Sequence, residues 1–428
     1  MKKILSVFPI LLLVSFSVLA GQGPIAQTPL TLAEAYRLAL KQSEEIAIHE
    51  ETLRAAEGHF YQAFQVILPK IDYSITRTEQ EAVNGASADT TAGNSLRRST
   101  PLQKFTLNQP IFSGFKEFAA IQGAGAEKRQ RRYEIQRAKE LLFIDVMGAF
   151  YAVLETQKDI GTLSDVQALM KIRRAELIGR ARLGRSRESE VQGATSDLKL
   201  IEVELEDAKR QWTLAKELLE FYIGGELKNG LQDVELPADL QGGALETVKS
   251  AENRADVKAA ENAKILAEKG TVVARAGLFP TVSVDGNYYT ERVGVQKDID
   301  WDVVLKIDVP LFDRLDTFGD MKVAAAEEES ARMTWRKAKR LAELDIKNAV
   351  EDFGAARRIQ ARLREAARAT KKNYELQTKE YRLSLVNNLQ VLDALKDYQD
   401  VARRFNQAHY QMKRNFWKLR VALGKAAP

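Results

Sequence analysis

The chain has 428 residues, 45% of them hydrophobic and 29% charged, with 25 Gly, 10 Pro and no Cys. Without cysteine there is no disulfide framework, no thiolate metal site and no lipid-anchored N-terminal cysteine. The low Gly and Pro content argues against a many-turned all-β globule and against low-complexity disorder. The formal charge of +5 comes from 64 basic and 59 acidic residues that are interleaved, so it is no footprint of nucleic acid, and three histidines (His49, His59, His409) leave little material for imidazole chemistry.

In chain order, Lys2 and Lys3 precede an apolar run from Ile4 to Ala20, and Val18-Leu19-Ala20 fits a cleavage site before Gly21. Residues 1–20 are therefore expected to be a secretory signal peptide. No later apolar run is long enough for a membrane-spanning helix, which leaves an exported chain in the periplasm, outside the cell, or in a membrane as a β-barrel.

The remainder reads as two copies of one pattern: helix, Pro, strand, loop, strand, Pro, very long helix, break, long helix. Phe105-Thr-Leu-Asn-Gln-Pro-Ile-Phe112 corresponds to Val304-Leu-Lys-Ile-Asp-Val-Pro-Leu-Phe312, and Arg182-Leu-Gly184 to Arg382-Leu-Ser384. The expected units are 21–223, a linker at 224–243 and 244–428. The first helix is expected from Leu30 to Leu68, with Thr31 and Glu34 forming a capping box. Two Pro-free stretches, Phe115 to about Arg182 and Gly319 to about Leu383, predict helices of roughly 100 Å. Return helices are expected at about 186–223 and 386–423, and another helix at about 244–279. Apolar residues recur every 3 or 4 positions from Val191 to Tyr222 and again from Val391 to Ala422, a coiled-coil period.

Four stretches alternate with period two: about 69–78, 101–112, 280–290 and 300–312. Each has the length and alternation of a transmembrane barrel strand, and aromatics such as Phe112, Phe115, Trp301 and Phe312 gather near the ends. Asp72, Lys104, Lys306 and Asp308 fall on the polar side. Four strands cannot enclose a lumen and an open edge is not tolerated in hydrocarbon, so strands in a membrane require several chains to share one barrel.

Thr31-Leu-Ala-Glu-Ala-Tyr-Arg-Leu-Ala-Leu40, Leu68-Pro-Lys-Ile71, Leu107-Asn-Gln-Pro-Ile-Phe-Ser-Gly114 and Val391-Leu-Asp-Ala394, together with the duplication, resemble the TolC-type outer membrane efflux proteins over essentially all of the chain beyond residue 20. The resemblance implies an α+β membrane protein: a homotrimer with a long coiled-coil helical tunnel and a shared twelve-stranded transmembrane barrel in outer-membrane lipid, most of the chain lying in the periplasm. It further implies a passive exit duct for efflux or type I secretion, with no enzymatic activity and no cofactor. The partners implied are a periplasmic adaptor (membrane fusion protein) and an inner-membrane pump of the RND, ABC or MFS type; nucleic acid is not among them.

Relatives carry two aspartates at the periplasmic gate. Here Asp393 stands at the second position and Gln390 at the first, while Tyr381 stands where relatives have a gating tyrosine. A ring of three Asp393 side chains would hold cations. The tips, Arg182, Leu183, Gly184 and Arg185 in one half and Arg382, Leu383 and Ser384 in the other, are expected to meet the adaptor. Arg180 and Arg187 add to the basic character of the first tip.

The alternative from a different class is a periplasmic coiled-coil scaffold or adaptor whose strands form a soluble sheet. A hydrolase is disfavoured because no GxSxG, HExxH, P-loop or dinucleotide fingerprint occurs in its required context.

Overall fold

A computed structural model describes residues 29–81, 99–236, 251–313 and 315–425. The expected signal peptide, most of the loop between the first two strands, and 237–250, which include the end of the expected linker, lie outside the described residues.

The elements in order are α1 (Leu32–Gln42), α2 (Glu44–Gln65), β1 (Lys70–Glu79), β2 (Ser99–Ser113), α3 (Lys116–Arg182), α4 (Glu188–Ile223), α5 (Ala255–Arg275), β3 (Thr281–Arg292), β4 (Trp301–Asp308), α6 (Asp316–Arg382) and α7 (Asn388–Ala422). Both long helices, α3 and α6, have 67 residues and are about 100 Å long. They share an unusual start, since Phe115 and Leu315 immediately precede them with left-handed φ of 65° and 71°.

The expected first helix is two helices. Ser43 is at once the C-cap of α1 and the N-cap of α2, its hydroxyl accepting from the Ile46 N–H at 3.3 Å. Glu44 and Glu45 follow it in the first turn of α2, where acids interact favourably with the exposed helix N–H groups. The Thr31–Glu34 capping box is formed.

Short helices lie end to end against the long ones. Toward the sheet, α3 packs against α2 and α5, and α5 packs against α6. Toward the other end, α3 packs against α4 and α7, and α7 against α6, which leaves α4 and α6 at the two edges. The expected coiled-coil stripe is buried as Val191, Ala194, Leu198, Ile201, Leu205 and Ala208 on α4. The largest core lies at mid-height. Phe143, Phe150 and Tyr151 of α3 meet Tyr36, Tyr410, Phe416 and Trp417 there, with ring centroids 5.1 Å apart for Tyr36–Phe143 and 5.5 Å for Phe143–Trp417. The buried Trp417 Nε1–H donates to the Tyr151 hydroxyl at 3.0 Å. The described part of the linker is strapped onto this core: Leu30 bonds to Gly230 and Gln232, and the buried Lys413 ammonium donates to Asp233.

The four strands form one antiparallel sheet in the order β1-β2-β3-β4, so strands of the two halves meet at β2–β3. β4 is shorter than the expected 300–312. Asp308 pairs with Thr281, the first residue of β3, so Val309 has no partner strand, and Pro310 has no N–H to offer.

Candidate functional site

Two regions carry the expected functional residues: the sheet at one end and the hairpin tips at the other. On the sheet, pairing collects Ile71, Tyr73, Phe105, Leu107, Tyr288, Trp301, Val303, Leu305 and Ile307 on one face, because residues two apart share a side. That face is open; Ile71, Trp301 and Leu305 are 66%, 66% and 63% exposed. The opposite face is a connected polar network. Asn287 Oδ1 accepts from the Lys104 ammonium at 3.0 Å and the Thr106 hydroxyl at 3.1 Å, and its amide donates to Asp302 at 2.8 Å. Tyr289 donates to the other Asp302 oxygen at 2.7 Å, and Asn108 to Asp285. Lys70 pairs with Asp72 at 3.0 Å and Lys306 with Asp308 at 2.9 Å. Of the four charges expected on the polar side, Asp72, Lys306 and Asp308 are therefore ion-paired within their own wall, and Lys104 is hydrogen-bonded to the Asn287 amide.

Both tips close with the same hydrogen bonds. Leu183 and Leu383 end the long helices; the Arg185 N–H then returns to the Arg180 carbonyl at 2.8 Å and the Leu385 N–H to the Glu380 carbonyl at 3.0 Å. This reversal needs a left-handed residue, and Gly184 (φ 69°) and Ser384 (φ 60°) occupy that position. Glycine adopts this φ without cost, whereas serine is strained there. Leu183, Leu383 and Leu385 are each 71% exposed. Arg182, Arg185 and Arg382 are exposed beside them. Leu385 and Leu389 enlarge the apolar tip and were not singled out from the sequence.

The three residues expected at the gate have different surroundings. Gln390 is the N3 residue of a capping box: its amide oxygen accepts from the Asn387 N–H at 3.0 Å, and Asn387 Oδ1 accepts from the Gln390 N–H at 3.0 Å. At the equivalent position of the first hairpin, Glu190 receives the Ser186 hydroxyl and the Arg187 N–H, which hold its carboxyl below the usual range. Asp393 is exposed one turn further along, with no hydrogen bond or ion pair among the described residues. Tyr381 is buried, and its ring lies under two guanidinium groups, 3.6 Å from Arg173 and 4.3 Å from Arg180.

Arg173 is the functional candidate that the sequence reading missed. It is 4% exposed and bridges the two hairpins, its Nε donating to Asn388 Oδ1 at 2.9 Å and one terminal nitrogen to Glu176 at 3.0 Å. The other terminal nitrogen is buried without a partner. A signal was present: Arg173 falls in the buried series Val166, Met170, Leu177, where an arginine breaks an apolar stripe.

Among the described residues no cluster of His, Asp or Glu could hold a metal ion, and no helix is long and apolar enough to cross a membrane.

A family model described as outer membrane efflux protein matches residues 248–425. No curated protein matches the sequence. Several solved structures share the fold. A membrane protein from Pseudomonas aeruginosa superposes with a TM-score of 0.81 at 18% identity, covering 94% of this chain and 91% of its own. The outer membrane protein VceC from Vibrio cholerae gives 0.79 at 18% identity, covering 92% and 96%. The CmeC outer membrane channel from Campylobacter jejuni gives 0.79 at 15%, covering 92% and 85%. Residues 248–425 thus match the outer membrane efflux protein family, and more than nine-tenths of the chain shares its fold with solved outer membrane channels.

Proposed function

We propose that this chain is the outer-membrane exit duct of a tripartite efflux or type I secretion system, acting as a homotrimer. The observation that carries this reading is the sheet. It has two unpaired edges, β1 and β4, one exposed apolar face and one hydrogen-bonded polar face. Such a sheet is stable in hydrocarbon only when neighbouring copies close it, apolar face to lipid and polar face to lumen. Three copies supply twelve strands, and the α3 and α6 helices of each then line a tunnel reaching about 100 Å into the periplasm.

The tips have the chemistry of a docking rim. Leu183, Gly184, Leu383 and Ser384 present an apolar ring edged by Arg182, Arg185 and Arg382, suited to a periplasmic adaptor that links the duct to an inner-membrane pump. Asp393, with Tyr381 and Gln390 close by in the sequence, supplies the gate: three unpaired carboxylates near one axis attract cations and narrow the passage. The energy for transport belongs to the pump.

The test is the mass of the full chain extracted in mild detergent, followed by bilayer recording. A complex of three chains that conducts supports the duct. A monomer, or protein released from membranes by carbonate alone, supports the scaffold reading and refutes the duct.

A further inference from the structure

The two edge helices each carry a second heptad stripe that is exposed over most of its length and packs on no other helix of the chain through its large apolar side chains. On α4 it runs through Gly193, Leu200, Val203, Asp207 and Leu214, opposite the stripe buried on α3. On α6 it runs through Leu376, Ala369, Ala366, Arg362 and Ala355, of which Ala366 and Ala355 are half-buried because the row lies beside the stripe that faces α7. Leu200 and Val203 are 60% and 66% exposed, so the α4 stripe is open apolar surface at coiled-coil spacing.

The two stripes match. Arg180 stacks on Tyr381, so the two hairpin turns of one chain are level, and a rotation axis along the tunnel keeps the turns of all copies level. Residues equally far from the turns then stand opposite one another on neighbouring copies. Asp207 is the 20th residue of α4 and Arg362 the 21st from the end of α6, both about 30 Å from the turn. The same register sets Gly193 against Leu376, Leu200 against Ala369, Val203 against Ala366 and Leu214 against Ala355. Each large side chain meets a small one, as interdigitating helices require. The complementarity ends one heptad step later, where Glu217 would face Asp352.

We infer that α4 of one copy packs antiparallel on α6 of the next, in the register that opposes Asp207 to Arg362, and that this contact closes the helical tunnel. The inference rests on the homotrimer proposed above and names the faces that build it. Asp207 already accepts from Arg210 and Gln211 at 2.7 Å, whereas among the described residues Arg362 pairs with Glu365 alone, at 3.6 Å on its own helix. The apolar row therefore supplies the affinity, and the charge pair supplies the register.

The native sequence contains no cysteine, so cross-linking reads the register directly. In the full chain, Val203→Cys with Ala366→Cys should oxidise to covalent dimers and trimers, while Val203→Cys with Ala355→Cys, about 16 Å out of register, should not. Asp207→Arg or Arg362→Asp alone should lower the cross-linking yield about threefold, the worth of a half-exposed ion pair, and the two together should restore it. A trimer of the right mass in which Val203→Cys and Ala366→Cys stay unlinked overturns this interface and leaves the duct standing. A native chain that is monomeric overturns both, and cross-linking of these cysteines to another protein in cells assigns the faces to that partner instead.

Discussion

Arg173→Met tests the contact between the two hairpins; it also removes the Arg173–Glu176 pair within α3, where Arg180 remains as a partner for Glu176. The substitution removes a charge-assisted hydrogen bond to the buried Asn388, worth about 1.5–3 kcal/mol, and a stacking contact on Tyr381 worth about 0.5–2 kcal/mol. Methionine returns part of that by filling the space with apolar atoms and by removing a buried nitrogen that has no partner. The net loss is about 2 kcal/mol, roughly a 30-fold shift of a two-state tip toward its loosened form. Asn388→Leu added to Arg173→Met removes the orphaned acceptor and should recover most of the loss, giving a double-mutant cycle with a coupling of about 1–2 kcal/mol. Hydrogen exchange on residues 170–190 and 381–395 reports the loosening, and the open fraction in single-channel recordings reports its effect on the passage. Equal protection and equal open fraction in Arg173→Met and the native chain would refute the reasoning, as would a double variant worse than the sum of the singles.

Burial, reinforced by the Lys413 charge, pushes the His409 pKa below its ordinary value of 6.5. Below that pH the unfolded chain binds a proton that the folded chain resists, so stability at mid-height should fall as the pH drops from about 7, and His409→Gln should flatten the dependence of the thermal midpoint between pH 7.5 and 5. At the turns, Gly184→Ala should destabilise by about 1–2 kcal/mol through backbone strain alone, since an added Cβ meets nothing within 4 Å. Ser384→Gly should gain up to about 1 kcal/mol, read in both cases as tip exchange rates. Leu305→Arg on the open apolar face should cost about 2–4 kcal/mol and lower trimer yield, whereas Leu305→Ile should leave it unchanged. Asp393→Ala should weaken cation block of single-channel current, and Leu183→Asp or Leu383→Asp should impair export while the trimer persists; unchanged block or normal export removes those residues from the gate and the rim.

Periodicity made the long elements readable in advance. The 3,4 spacing from Val191 onward and the alternation from Ile71 onward are imposed by backbone geometry, so they are written locally. The Thr31–Glu34 cap is likewise a local pattern, and it is formed as expected. Features set by a distant partner were not readable. The end of β4 depends on where β3 begins, 27 residues earlier in the register that pairs Asp308 with Thr281. The role of Arg173 depends on Asn388 and Tyr381, more than 200 residues away. Ser43 stood in the open with two acids after it, but a helix continuing through a serine and one restarting at it look alike until the Ile46 N–H is seen to bond back.

The aromatic collar at mid-height divides the molecule mechanically. Above it the helices join the sheet; below it the two hairpins, tied to each other through Arg173, Asn388 and Tyr381, form one arm of some 30 residues, from Tyr151 to the Arg182 end of α3, or about 45 Å. A tilt of about 5° at the collar would therefore swing the leucine rim sideways by about 4 Å, while in the proposed trimer the strands stay where they are. In the proposed duct, dilation at the bottom would then demand no rearrangement at the top, and an adaptor docked on the rim would work with the full leverage of the arm.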